Sequence, residues 1–243
     1  MNRGGKPSAR RTPRSSVAML LAFVAFTGGL LAVVADYLRD PANLPIRTIR
    51  IQSEFRHLER SALQQILGTA VDGGFFSVDL GRVREAALSL PWVAEARVSR
   101  VWPDKLLVEV VEQMAVARWN DDGLVNSRGE VFHPKEAARP DLPLQFAGPD
   151  GKAAEMLEFY RRIQAALGPL GLQIRSVNLD PRGEWRLGFR DDMVVMVGRE
   201  QKDFRIERLL GVYAVLANNE RKIERIDLRY EQGFAVRWRE EQS

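Results

Sequence analysis

Apolar residues follow three different rhythms along this chain. Residues 17–35 run without a charge, proline or asparagine, whereas everything beyond residue 38 mixes apolar and polar positions at helical or strand spacing. An α-helix over the uninterrupted run spans ~28 Å, close to the ~30 Å hydrocarbon thickness of a bilayer, so the pattern predicts one membrane crossing. Its flanks give it a direction. Arg3, Lys6, Arg10, Arg11 and Arg14 precede it with no acid among them, and Asp36 follows. Positive residues stay inside, which puts the N-terminus in the cytoplasm and the rest of the chain across the membrane. A cleavable signal peptide has similar parts, with Val33 and Ala35 at positions −3 and −1 of a cleavage site. Its apolar stretch, however, runs about 7 to 15 residues. The longer run favours an uncleaved anchor over residues 17–38. Gly28 and Ala32 are spaced for close helix approach, a spacing common by chance.

Residues 1–16, rich in Arg, Ser, Gly and Pro, carry too little apolar surface for a core and are expected to be a disordered basic tail. Pro41 and Pro45 predict an extended linker over residues 39–45, because each proline pushes its predecessor out of the helical region. Over residues 46–114 the pattern is strand, helix, helix, strand, strand. Ile49 and Ile51 alternate with Arg50 and Gln52; Leu58, Ala62, Leu63, Ile66 and Leu67 then repeat at helical spacing and stop at Gly68. Asp79 is placed to cap a second helix that buries Val83, Ala86, Ala87 and Leu90 and ends at Pro91. Strands over residues 93–101 and 106–111 flank a turn at Trp102, Pro103, Asp104 and Lys105. Two helices then cover one face of a three-stranded sheet.

Strands dominate residues 115–238. An Asp-Gly turn links the first two, and residues 141–150 read as a proline-containing connector. Met156, Leu157, Tyr160, Ile163 and Leu167 mark a helix closed by Gly168 and Pro169. Strands over residues 174–179, 185–189 and 193–197 lead to a last helix through Phe204, Leu209, Leu210, Val212, Tyr213 and Leu216. A terminal hairpin, residues 223–230 and 234–238, turns at Gln232 and Gly233. The expected class is α+β: one membrane helix, a small β-α-α-β-β domain over residues 46–114, a mixed β-rich domain with two long helices over residues 115–238, and a short tail, 239–243.

Charge changes the picture less than it first suggests. The net charge is +4 and the pI about 9.6, which invites a nucleic-acid reading. Five of the 36 basic residues lie in the first 16 positions with none of the 32 acids, leaving 31 against 32 on the rest. A nucleic-acid binder needs a basic face on a folded domain. A polybasic tail beside a membrane span is a topology signal instead. No cysteine is present, so disulfides, thiolate nucleophiles and Cys-based metal sites are excluded.

Catalytic chemistry finds no footing. His57 and His133 have no partner at metal-ligand spacing. Asp121–Asp122 and Asp191–Asp192 fall in predicted turns, where aspartate bonds its own backbone. The glycine pairs lack the strand-then-helix context of a phosphate cradle. Trp92, Trp119 and Trp185 stand in or beside apolar strands and read as core; Trp102 and Trp238 read as partly exposed. The expectation is no catalytic residue, metal, cofactor or small-molecule substrate.

The strings FFSVD (residues 75–79), LPWV (90–93), ARVSRVWP (96–103) and LVEVVEQ (107–113) resemble the POTRA domain of the bacterial FtsQ/DivIB cell division family. Ala115 stands where that family usually has proline, and Ala117, Arg118 and Trp119 follow in place. The likeness continues through the β-rich region to residue 238. It implies a non-enzymatic, bitopic, single-pass type II scaffold of the divisome in the bacterial inner membrane at the septum, with its folded domains periplasmic. The implied partners are FtsB and FtsL, which join the scaffold to septal peptidoglycan synthesis. Arg182, Arg229, Tyr230, Gly233, Phe234 and Trp238 match the partner-binding end of the family, where a partner strand pairs with the final strand. A terminal strand suits that role because no later element covers its outer edge. The other reading, a POTRA-bearing transport or outer-membrane assembly component, lacks a run of alternating ~10-residue membrane strands.

Overall fold

The computed structural model describes residues 14–219 and 221–239, so the readings made for residues 1–13 and 240–243 lie outside the described residues. Helix α1, Arg14–Arg39, begins within the expected tail and runs through the whole apolar stretch. Residues 18–39 are long and apolar enough to cross a membrane, and none of them is packed inside the protein. Met19, Leu20, Leu21, Phe23, Phe26 and Leu31 all stand exposed. In water each such side chain is unfavourable by roughly 1.5–3 kcal/mol relative to burial, a cost that lipid removes. Thr27 keeps its hydroxyl satisfied within the helix by donating to the Phe23 carbonyl at 2.8 Å.

Two compact units make up the described chain. One comprises its residues up to 54 with 59–89 and 95–110; the other comprises 55–58, 90–94 and the described residues from 111 onward. The first is built from β1 (Thr48–Gln52), α2 (Arg60–Ala70), α3 (Leu80–Leu88) and most of strands β2 (Val93–Val101) and β3 (Lys105–Glu112), whose residues 93–94 and 111–112 fall in the second. The sheet order is β1-β3-β2, with β1 parallel to β3 and Ile49 opposite Leu106, Ile51 opposite Val108. Leu63, Leu67, Val83, Ala87, Leu106 and Val108 are fully buried beneath the two helices. Helix α2 does not stop at Gly68 but continues to Ala70. Leu67 and Ala70 are both buried there, and their packing outweighs the ~1 kcal/mol helix cost of one glycine. Asp79 caps α3: its Oδ1 accepts from the N–H of Gly81 at 2.8 Å and of Arg82 at 3.1 Å, worth about 1 kcal/mol. The helix ends at Leu88, short of Pro91, since Leu90 precedes that proline and is pushed out of the helical region.

The second unit is one nine-stranded sheet backed by two helices. Its elements are β4 (Ala115–Trp119), β5 (Gly123–Asn126), β6 (Val131–Phe132), β7 (Gln145–Ala147), α4 (Ala153–Leu167), β8 (Ile174–Leu179), β9 (Trp185–Phe189), β10 (Val194–Gly198), α5 (Lys202–Ala217), β11 (Ile223–Asp227) and β12 (Ala235–Trp238). Strand order is β12-β11-β10-β9-β8-β7-β4-β5-β6. Helix α4 packs on β8 and α5 on β10, and the two helices meet. Phe146, Val177, Leu187, Val195 and Ile226 are fully buried on the helix-covered face, with Met156 and Leu209 reaching them from the helices.

Two expectations change here. The connector over residues 141–150 contains β7, which pairs in parallel with both β4 and β8. Three residues are too few to display alternation, and the strand exists because a ladder waits on each side of it. The expected hairpin strand over residues 223–230 ends early, at Asp227. Leu228 is buried and its N–H donates to the Met196 carbonyl of β10 at 2.9 Å, so the chain leaves β12 and residues 228–234 form a loop.

Candidate functional site

The last strand lies at the edge of its sheet. β12 runs antiparallel to β11, with Asp227 opposite Ala235, Ile226 opposite Val236, Arg225 opposite Arg237 and Ile223 opposite Trp238. On its other side no strand pairs with it among the described residues. The opposite margin of the sheet is the two-residue β6, too short to offer a ladder. Backbone N–H and C=O groups of β12 are therefore the ones open to an added strand. Phe234, Val236 and Trp238 lean on the core, while Ala235 and Arg237 face out.

The loop leading into β12 is held from below by α5. Arg205 donates from Nη1 to the Val197 carbonyl at 2.7 Å and from Nη2 to the Arg229 carbonyl at 3.3 Å. Arg208 donates to the carbonyls of Leu228, Tyr230 and Glu231 at 3.0, 3.2 and 3.2 Å. Carbonyls left without a ladder partner are satisfied by charged donors, which are stronger than neutral ones. Gly198 leaves the room for this: at φ +83° a side chain is strained, and a Cβ there would collide with the Arg205 guanidinium.

Arg229 faces away from the core into two carboxylates. Its Nε and Nη2 donate to Asp227 Oδ1 and Oδ2 at 2.9 and 2.8 Å, and Nη1 lies 3.5 Å from Glu184 Oε2. The hydrogen bonds from Arg229 hold the Asp227 carboxyl below its ordinary range, and the same pairing raises Arg229 further above its own. Glu184 belongs to the turn between β8 and β9. There Asp180 Oδ1 accepts from the N–H groups of Arg182 and Glu184 at 2.8 and 2.9 Å.

The structure thus brings the Arg182 turn and Arg229 together through Glu184. The Arg182 side chain is exposed and has no partner among the described residues. Tyr230 is 59 % exposed. Gly233 has open space where a Cβ would go, so sterics do not demand glycine there. Phe234 and Trp238, by contrast, serve the core as well as the edge. Arg205, Arg208, Glu184 and Gly198 were not singled out from the sequence, and Asp227 only as the start of the segment that carries Arg229 and Tyr230. Arg205 and Arg208 sit three apart, on one helix face, but nothing local reveals that loop carbonyls lie beneath them.

Arg225 and Arg237 stand directly opposite each other, an arrangement that destabilises an isolated pair of strands. Arg237 Nη1 reaches Glu224 only at 3.9 Å. Both arginine side chains are exposed at this margin. Elsewhere, Asp191 and Asp192 occupy the β9–β10 turn, with Asp192 left-handed at φ +63°. The His57 ring stacks on Trp92 at 4.5 Å, and His133 Nε2 lies 3.7 Å from Asp122. No three His, Asp or Glu side chains gather as a metal site among the described residues.

Comparison with known proteins covers both units. Residues 44–113 match the family model "POTRA domain, FtsQ-type", and residues 117–229 match "Cell division protein FtsQ/DivIB, C-terminal". The chain is 32 % identical over 225 residues to the cell division protein FtsQ of Coxiella burnetii, covering 92 % of this chain and 90 % of that one. It is 39 % identical over 200 residues to that of Allochromatium vinosum, covering 82 % and 80 %. With that of Shewanella oneidensis identity is 36 % over 231 residues, covering 93 % and 86 %.

Proposed function

From the premise that this chain belongs to the FtsQ/DivIB family of bacterial cell division proteins, we propose that it is a non-enzymatic scaffold of the divisome, anchored by α1 in the inner membrane at the division septum. Its N-terminus is cytoplasmic and its two domains, 46–114 and 115–238, are periplasmic. The second domain binds FtsB, and FtsL with it, by accepting a strand of the partner along β12. The observation that carries this reading is the free β12 edge, supported by a loop whose carbonyls are clamped by Arg205 and Arg208. A bound strand supplies the missing ladder, and its acidic residues meet Arg182, Arg237 and Arg229. Tyr230 contributes a large, little-flexible contact surface of the kind that dominates interfaces.

Partner capture tests it. The soluble fragment 39–243 retains FtsB on a pull-down; Arg182→Glu and Tyr230→Ala, both at exposed side chains, weaken binding on the order of tenfold or more, the equivalent of ~1.4 kcal/mol. Their thermal midpoints stay at the unmodified value. Trp238→Ala is not a clean probe, because Trp238 packs on the core and its loss costs roughly 2 kcal/mol of stability. Unchanged affinity in both exposed variants removes this edge as the binding surface.

A further inference from the structure

Phe75, Phe76 and Trp102 form an aromatic cluster in the first unit. Phe75 is buried and meets Phe76 edge-on at 5.1 Å and Trp102 edge-on at 5.5 Å between ring centroids. The outer two rings face solvent: Trp102 is 65 % exposed and Phe76 46 %. Contiguous exposed apolar groups on a rigid base mark a contact surface. The base is rigid because Arg100 donates to the Phe75 carbonyl at 2.6 Å and the Val78 carbonyl at 2.8 Å.

The place of the cluster in the chain identifies its occupant. The linker after α1 is folded onto the loop that carries the two phenylalanines. The Phe75 N–H donates to the Leu44 carbonyl at 2.7 Å, Pro45 bridges Gly74, and a Cβ on Gly74 would stand 2.9 Å from the Pro41 Cα. The helix end is tied into the same linker: Asn43 Nδ2 donates to the Tyr37 carbonyl at 3.1 Å, and the Ala42 N–H donates to Asp40 Oδ1 at 2.9 Å. One residue separates Arg39, at the end of α1, from Pro41. With consecutive Cα atoms ~3.8 Å apart, Gly74 lies within roughly 12 Å of the helix end. The headgroup layer on each side of a bilayer is about 5–8 Å thick, within reach of the neighbouring aromatic side chains.

We propose that Trp102 and Phe76 insert into the headgroup layer of the bilayer that α1 crosses, seating this loop on the membrane. Tryptophan and tyrosine favour that layer because one end of the ring is apolar and the other can hydrogen-bond. Tyr37, 58 % exposed in the last turn of α1, is a further aromatic at the same end. The proposal rests on the reading of α1 as a membrane anchor.

The native tryptophans supply the probe, since none of the five lies in α1. The full chain is reconstituted in phosphatidylethanolamine and phosphatidylglycerol vesicles containing lipid brominated near the glycerol end of its acyl chains. Bromine quenches part of the emission, and that part is lost in Trp102→Phe while the rest is unaltered. Insertion of α1 is read separately as resistance to alkaline carbonate. A carbonate-resistant chain whose emission bromine leaves untouched overturns the proposal and spares the anchor, whereas a chain stripped by carbonate overturns the anchor reading beneath it. Emission that lipid does not quench, but that purified division partners shield from iodide, assigns the patch to a protein and likewise overturns membrane seating.

Discussion

Asp227 and Arg229 make an ion pair that acid can open. Both sit beside the loop that leads into β12, their side chains 17 % and 44 % exposed, so the pair contributes about 0.5–1 kcal/mol rather than the larger sum its two-point geometry suggests. Arg229 lowers the folded-state value of Asp227. The stabilisation is therefore present above the ordinary aspartate range, near pH ~4, and is lost as pH falls through the lower folded value. In urea titrations, Asp227→Asn should shift the midpoint at pH 7 and shift it by less at pH 3. An equal shift at both would show that the carboxylate is unpaired. Both residues were visible in the sequence, and the resemblance singled out Arg229. Its partner stands two residues away, on the same face even in an extended strand; what was not legible is that the strand expected over residues 223–230 ends at Asp227.

At the scale of elements, the five pieces between residues 46 and 114 form a sheet with its own helices, and their buried residues repeat the spacing seen in the sequence. A fragment of residues 46–114 should fold, giving mixed helix and strand signals by circular dichroism; a random-coil spectrum would sink the assignment of a separate domain. It should also be less stable than the parent chain. Trp92 meets the Phe132 edge at 5.2 Å, and loss of that contact costs about 1 kcal/mol. Helices and outer strands were legible because each carries many apolar positions in one rhythm. β7 was not, since three residues carry no rhythm and its place depends on β4 and β8.

For the whole molecule, the proposed part of α1 is that of an address and a tether. Its one hydroxyl-bearing residue among positions 18–35, Thr27, is satisfied within the helix, and Gly28 and Gly29 have nothing within 4 Å. No group there can hold an ion or a substrate. Exchanging residues 17–35 for an unrelated single span of the same orientation should leave septal recruitment in depleted cells largely intact. Loss of recruitment, with the exchanged chain present at normal level in the membrane fraction, would show that α1 makes specific contacts.

The amino-acid sequence alone determined the membrane-length helix, the order of nearly all helices and strands, and the Asp79 cap. Those are local properties: a run of apolar residues, a period of two or 3.6, an aspartate before a helix. The QGF stretch before β12 likewise announced a turn, and the family resemblance drew attention to the residues around it. Only the tertiary structure decided that β12 closes one margin of a nine-stranded sheet, that β7 lies inside it, and that α5 clamps the loop beside the free edge. Strand order and the pairing of Arg205 and Arg208 with carbonyls some 20 residues away depend on hydrogen bonds between distant backbone segments. A backbone carbonyl is the same group in every residue, so its partner leaves no mark in the sequence.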